Sequence, residues 1–188
     1  MKIILSHRLA QIKPSPTLSL SAAANRLKAN GKPIINLTVG EPDFDTPESI
    51  KQAARAALDQ GFTKYTAVDG MLALKQAVVD KFKRENKLNY PLDHVIVSSG
   101  AKQSIYNLMQ CLLNPDDEVI IPAPYWVSYP DMALLAEAKP VIIATSIKQQ
   151  LKITPAQLEA AITEKTRLFI INSPSNPTGM VYTPTELS

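Results

Sequence analysis

The chain has 188 residues, 45% of them hydrophobic and 20% charged, with a formal net charge of +3. That balance is ordinary for a globular protein and too weakly basic to imply a nucleic-acid partner. One cysteine excludes an internal disulfide, two histidines far apart give no metal-ligand spacing, and no apolar run reaches membrane-spanning length.

The opening "MKIILSH" has only three consecutive apolar residues, too few for a signal-peptide core, so the cytoplasm is the expected location. Residues 1–32 read as an arm or first helix. Within them "KPSPTLSL" (Lys13–Leu20) reads as an irregular lead-in, and Ser21–Ala29 as a helix closed by Asn30-Gly31. Ile34–Val39 is apolar and β-branched and reads as a short strand. Thr46–Gly61 reads as a helix with Thr46 as cap, Pro47 at the first position and Glu48 at the positive end of the dipole. Met71–Asn86 reads as a second amphipathic helix, with Leu74, Val78 and Phe82 spaced by four.

From Asp93 onward strands and helices alternate. Val95–Ser98, Glu118–Pro122, Pro140–Thr145 and Leu168–Asn172 read as strands. Lys102–Leu113, Val127–Ala138 and Pro155–Ile162 read as helices. This alternation predicts βαβ units and an α/β fold with a mainly parallel sheet. Cys111 lies in the apolar run Leu108–Leu113 and is expected in the core. The last six residues, "TPTELS", are a full helix-start signal with Thr183 as cap, Pro184 at the first position and Glu186 in the capping-box position. A helix start with no helix after it, and a sheet with few strands for two helical layers, lead to the expectation of a truncated protein.

Ligands of open α/β sheets bind at the carboxyl ends of strands, and three such ends are unusual here. In "VIVSSGAKQSIYN" a strand passes into a helix, so the amides of Gly100, Ala101 and Lys102 would sit at a helix N-terminus able to hold a phosphate. A plain tight turn with a surface lysine is the other reading. In "IIPAPYWVSYP" the only tryptophan, Trp126, follows a strand end, either as core or as a plate over a flat ring. In "FIINSPSNPTG" a strand runs into a loop stiffened by Pro174 and Pro177, which either presents the amides of Asn172 and Asn176 or only caps the sheet. Together the three read as one site with a phosphate socket, an aromatic plate and an amide donor, suited to a flat phosphorylated ring.

Five ordered motifs, "GEPDFDTP", "KYTAVDG", "SSGAKQSIYN", "PYWVSYP" and "NSPSNPTG", carry a resemblance. From about Pro14 to Ser188 the chain resembles the N-terminal portion of class I, fold type I aspartate aminotransferases, which use pyridoxal 5'-phosphate (PLP). The resemblance implies a truncated three-layer αβα fold. It places an N-terminal arm and small-domain segment over residues 1–45 and an incomplete PLP-binding large domain over residues 46–188. It assigns Gly100, Ala101 and Lys102 to the cofactor phosphate, Trp126 to the face of the ring, and Asn176 to the ring oxygen. It also sets Gly40, Trp126 and Asn176 beside the substrate. Tyr65 matches a tyrosine that reaches the cofactor phosphate of a second subunit, which implies a homodimer, and "KPSPTLSL" matches a segment that closes over substrate. Ala101 stands where relatives often have glycine or serine, with its backbone amide unaffected. The lysine that carries the cofactor and serves as base has no match among these residues, so no catalytic residue and no metal ligand is assigned.

The leading expectation is an aminotransferase moving an amino group from aspartate or a related amino acid to a 2-oxo acid. This chain alone is expected to be inactive. An aromatic or prephenate-type aminotransferase of the same fold is the alternative. A non-catalytic binding or dimerisation module is a third reading if the chain ends at Ser188. A nucleotide-binding domain is disfavoured because no G-x-G-x-x-G or G-K-[ST] motif occurs at a strand end.

Overall fold

The structure is a computed structural model that describes residues 3–38 and 40–188. They group into two bodies. One comprises Ala101–Ser188 together with the N-terminal residues up to Pro16, and the other comprises Thr17–Gly100.

The N-terminal stretch, expected as an arm or first helix, holds a short helix, α1 (His7–Ala10). Helix α2 spans Pro16–Ala29, so the second half of "KPSPTLSL" is helical rather than irregular. Pro16 supplies the first position, where a missing N–H costs nothing. The helix closes as expected. Gly31, at φ +76, donates to the carbonyl of Lys28, and Lys32 donates to that of Leu27. This is the paired closure of a helix ending in a left-handed residue. Helix α3 (Glu48–Asp59) ends the same way at Gly61, with Gly61 N–H on Leu58 and Phe62 N–H on Ala57. Thr46 does not cap it, because Pro47 holds the cap position and makes no side-chain cap bond.

Helix α4 (Leu72–Lys81) continues as a π-helical turn over Phe82–Asn86 and ends at Lys87, φ +59. Its expected apolar face is corrected. Leu74 is exposed, Val78 and Phe82 are half-buried, and the buried position is Lys75, whose ammonium is neutralised by Asp69. Two expected strands are absent. Residues 34–38 pair with nothing among the described residues (Val39 lies outside them), and 95–98 is extended but forms no ladder. Val97 N–H instead bonds the carbonyl of Asp69 at 3.0 Å. An apolar β-branched run needs a paired neighbour before it becomes a strand.

The first body carries the sheet. Strand β1 (Glu118–Pro122) pairs in parallel with β2 (Lys139–Ile143) on one side and β3 (Thr166–Phe169) on the other. Val119, Ile120 and Ile121 of this central strand are fully buried. Each buried aliphatic side chain contributes roughly 1.5–3 kcal/mol. Pro140 is tolerated because β2 is an edge strand.

Helix α5 (Ala101–Leu112) lays Ile105, Met109 and the following Leu113 on the core, a stripe at spacing four. Cys111 sits two residues from Met109, about 200° around the helix, and is therefore exposed rather than core. Helix α6 (Ser128–Leu135) buries Tyr129, Met132 and Ala133 and closes on Glu137 at φ +61. Helix α7 (Pro155–Ala161) and the terminal turn α8 (Pro184–Leu187) both start with full capping boxes, from Thr154 with Gln157 and from Thr183 with Glu186. At the amino end of β1, Glu118 accepts from Thr163 Oγ1 at 2.7 Å and meets Lys139 at 3.3 Å, which together hold its carboxyl below its ordinary range.

Gly70 is the glycine whose position demands it. It has φ +111, and a Cβ there would stand 2.7 Å from Cβ and Cγ2 of Val97. Gly31 also has positive φ, but a Cβ there meets nothing within 4 Å. Gly31→Ala should cost about 1 kcal/mol of backbone strain, and Gly70→Ala a further 1–3 kcal/mol or so of overlap. Urea denaturation of the two variants should show Gly70→Ala as clearly the less stable; equal midpoints would contradict the close approach.

Candidate functional site

The carboxyl ends of three parallel strands face one way, and the chain leaves β1 and β3 there through the two proline-rich stretches. The β1 exit passes Pro122, Ala123 and Pro124 to Tyr125 and Trp126. Its path is fixed by Ala123, whose N–H bonds Ile143 O at 2.9 Å and whose carbonyl accepts from Thr145 Oγ1 at 2.6 Å. Trp126 is half-buried against the core, and its ring meets that of Tyr129 edge to face at 5.3 Å. Burial raises the Tyr129 hydroxyl above its ordinary pKa.

Ala101 is the first residue of α5, so the amides of Ala101 and Lys102 have no carbonyl partner within the helix and carry the positive end of its dipole. Gly100 before it holds φ +85, with its N–H on Ser98 O at 2.8 Å. The segment before this turn is extended rather than a strand, so the turn is not the strand end the sequence predicts. Lys102 reaches Trp126, with Nζ 4.9 Å from the ring centroid. A cation and a flat aromatic face therefore meet at a helix N-terminus. An anion held at the turn would compete with the indole for the ammonium, and the freed ring face can take a planar group. The groups present thus fit a flat ring bearing a phosphate.

After β3 the pairing continues one step, with Ile170 N–H on Ile120 O at 3.0 Å. The loop then closes on itself. Asn172 Oδ1 accepts from the N–H of Asn176 at 2.8 Å, so Asn172 braces the loop. Ser175 N–H bonds Met180 O at 2.9 Å, Gly179 N–H bonds Ser175 O at 2.7 Å, and Ser173 Oγ accepts from Tyr182 N–H at 3.0 Å. The peptide bonds before Pro124, Pro174 and Pro177 are cis. Asn176 is exposed, and its side-chain amide has no hydrogen-bond partner among the described residues. Asn172, Ser175 and Asn176 share a cleft with Pro124, Tyr125 and Tyr129. Gly40 and Tyr65 belong to the other body, where both are exposed.

One contact was invisible in the sequence. The ammonium of Lys152, buried to 7% exposure, meets Glu186 Oε1 at 2.6 Å. Glu186 was read only as a capping residue; its partner lies 34 residues upstream, and no local pattern links them. Among the described residues no cluster of His, Cys, Asp and Glu could hold a metal ion, and no helix is long and apolar enough to cross a membrane.

Comparison with known proteins gives the family of the chain. Residues 32–188 match the family described as aminotransferase class I and II, and the chain belongs to that family. It is 61% identical over 183 residues to the aspartate/prephenate aminotransferase of Nitrosomonas europaea, covering 97% of this chain and 46% of that protein. It is 53% identical to the aspartate aminotransferase of Bacillus sp. strain YM-2, covering 100% of this chain and 48% of that one. Its fold is similar to that of an aspartate aminotransferase from Rhizobium meliloti, with TM-score 0.93 and 49% identity over 98% of this chain and 46% of the other. The Thermus thermophilus aspartate aminotransferase solved with maleate matches with TM-score 0.95 and 44% identity, over 99% and 49% of the two chains. The chain spans about half the length of these relatives. The fold class is therefore α/β, the N-terminal part of a three-layer αβα fold with a mainly parallel sheet.

Lys152 lowers the Glu186 carboxyl from 4.5 to about 2, helped by the backbone N–H of Thr183. The folded state thus binds fewer protons than the unfolded one, and the stabilisation is complete above about pH 4.5 and lost as pH falls toward 2. Glu186→Gln should lower the urea midpoint at pH 6, and the gap to wild type should close near pH 2. A gap independent of pH would contradict the pairing.

Proposed function

We propose that the full-length protein is a transaminase that moves an amino group from aspartate, or a related amino acid, to a 2-oxo acid with the help of PLP. The observation that carries this reading is the meeting of Lys102 and Trp126 at the N-terminal turn of α5. When bound, PLP supplies an electron sink for the carbanion left as an amino acid loses its α-proton.

The roles proposed for this chain's residues are those the family resemblance implies, and the chemistry of the residues suits them. The amides of Ala101 and Lys102 and the Lys102 ammonium would hold the phosphate dianion, and the Gly100 amide would turn from Ser98 O to join them. Trp126 would lie against the ring, fixing its plane. Asn176, braced by Asn172, would donate its side-chain amide to the ring oxygen, with Gly40 and Trp126 completing the substrate side. Tyr65 would serve the phosphate of a second subunit in a homodimer. Residues 1–45 would form an arm and part of a small domain, and 46–188 part of the cofactor-binding domain. No residue of this chain is assigned as the base that moves the proton. The cytoplasm is the proposed location.

A second reading concerns the acceptor. The Nitrosomonas europaea relative is named for both aspartate and prephenate, which favours a prephenate-type acceptor for this protein as well.

In the full-length protein, Trp126→Ala should weaken PLP binding about tenfold, in line with the loss of about 1.4 kcal/mol of ring contact. Titration followed by absorbance measures it, and unchanged affinity would return Trp126 to a packing role. Asn176→Ala should lower turnover with aspartate while leaving the thermal midpoint in place; wild-type turnover would remove Asn176 from the site.

A further inference from the structure

Lys152 is buried, and a buried ammonium is costly unless it is paired and hydrogen-bonded. Here it is both. Nζ meets Glu186 Oε1 at 2.6 Å, donates to the carbonyl of Val181 at 3.4 Å, and lies 5.8 Å from the centroid of the Tyr182 ring. The next residue joins in, with Ile153 N–H bonding Tyr182 Oη at 3.0 Å. Glu186 is equally committed, since its other oxygen accepts from Thr183 N–H at 2.7 Å. Residues 152 and 153 thus grip the chain at 181, 182 and 186.

Those gripped residues form one side of the neck of the Asn172–Met180 loop. Tyr182 N–H closes the neck on Ser173 Oγ, and the loop interior is tied from Ser175 to Met180 and from Asn172 to Asn176. The path from Lys152 to Asn176 runs through an ion pair, hydrogen bonds and peptide links between adjacent residues. We propose that Lys152 and Glu186 are a positioning pair that fixes the neck of this loop and so sets where Asn176 stands, an inference that rests on the role assigned to Asn176 above. Lys152 also lines the cleft that holds Asn172 and Asn176, but its ammonium is taken up by Glu186, so the pair acts through the loop.

The test uses the full-length protein with Lys152→Met, which keeps the packing and removes the charge, and Lys152→Arg, which keeps the charge. In Lys152→Met, amide deuterium exchange over residues 173–182 should rise about tenfold while exchange in β1 stays at the wild-type level, the signature of a local rather than global opening. The dissociation constant for PLP should rise by about the same factor, because the loop must then be ordered on binding. Lys152→Arg should recover most of both. Unchanged exchange in the loop would overturn the proposal, as would exchange that rises equally in β1. Increased loop exchange with unchanged PLP affinity would also overturn it, since the pair would then hold the loop without serving the site. Wild-type protein that binds no PLP would overturn the functional reading instead, and the exchange comparison would still decide whether the pair holds the neck.

Discussion

The burial of β1 is the constraint on which the rest depends. Val119, Ile120 and Ile121 lie fully buried in the middle of the sheet, Val119 and Ile121 packed with the buried residues of α5 and α6, and both backbone edges are paired in parallel. A strand in that position is held by its neighbours, because any slip would break hydrogen bonds on both of its edges. Parallel pairing then sends three chain exits to the same end. Two of them are the stiff segments carrying Trp126 and Asn176. The polar end of the same strand is spent on structure, where Asp117 and Glu118 meet Arg167, Lys139 and Thr163.

The alternating half of the molecule was legible from residue 101 onward. Helices with good caps and short β-branched strands obey local rules, and β1 was found with its boundaries intact. The capping boxes at Thr154 and Thr183 follow from hydroxyl, proline and Glu or Gln in the right order. Failures came where a long-range partner decides. The runs 34–38 and 95–98 have strand composition and no ladder. Leu74 has a helical apolar spacing and remains exposed, while Lys75 is buried because Asp69 waits for it. Cys111 sits in an apolar run, yet the helix turns it outward.

The candidate site was legible as a set of residues rather than as contacts. Lys102 and Trp126 were singled out for separate reasons, a turn and an aromatic plate; that one lies over the other needed coordinates. Asn172 was singled out with Asn176 as a loop amide, and the structure gives it the bond that braces the loop. Lys152 carried no signal at all. It is one of many lysines in the sequence, and the burial of its ammonium, which it shares with Lys75, shows only in the structure.

The central claim is that the first turn of α5 receives a phosphate while Trp126 faces the ring. The most direct measurement is the amide NMR shift of Ala101 and Lys102 in selectively labelled full-length protein, titrated with PLP and, separately, with pyridoxal lacking the phosphate. The account predicts large shifts at both amides with PLP and small ones with pyridoxal, while the Trp126 indole responds to either ligand. Silent amides at 101 and 102 with PLP bound would contradict it.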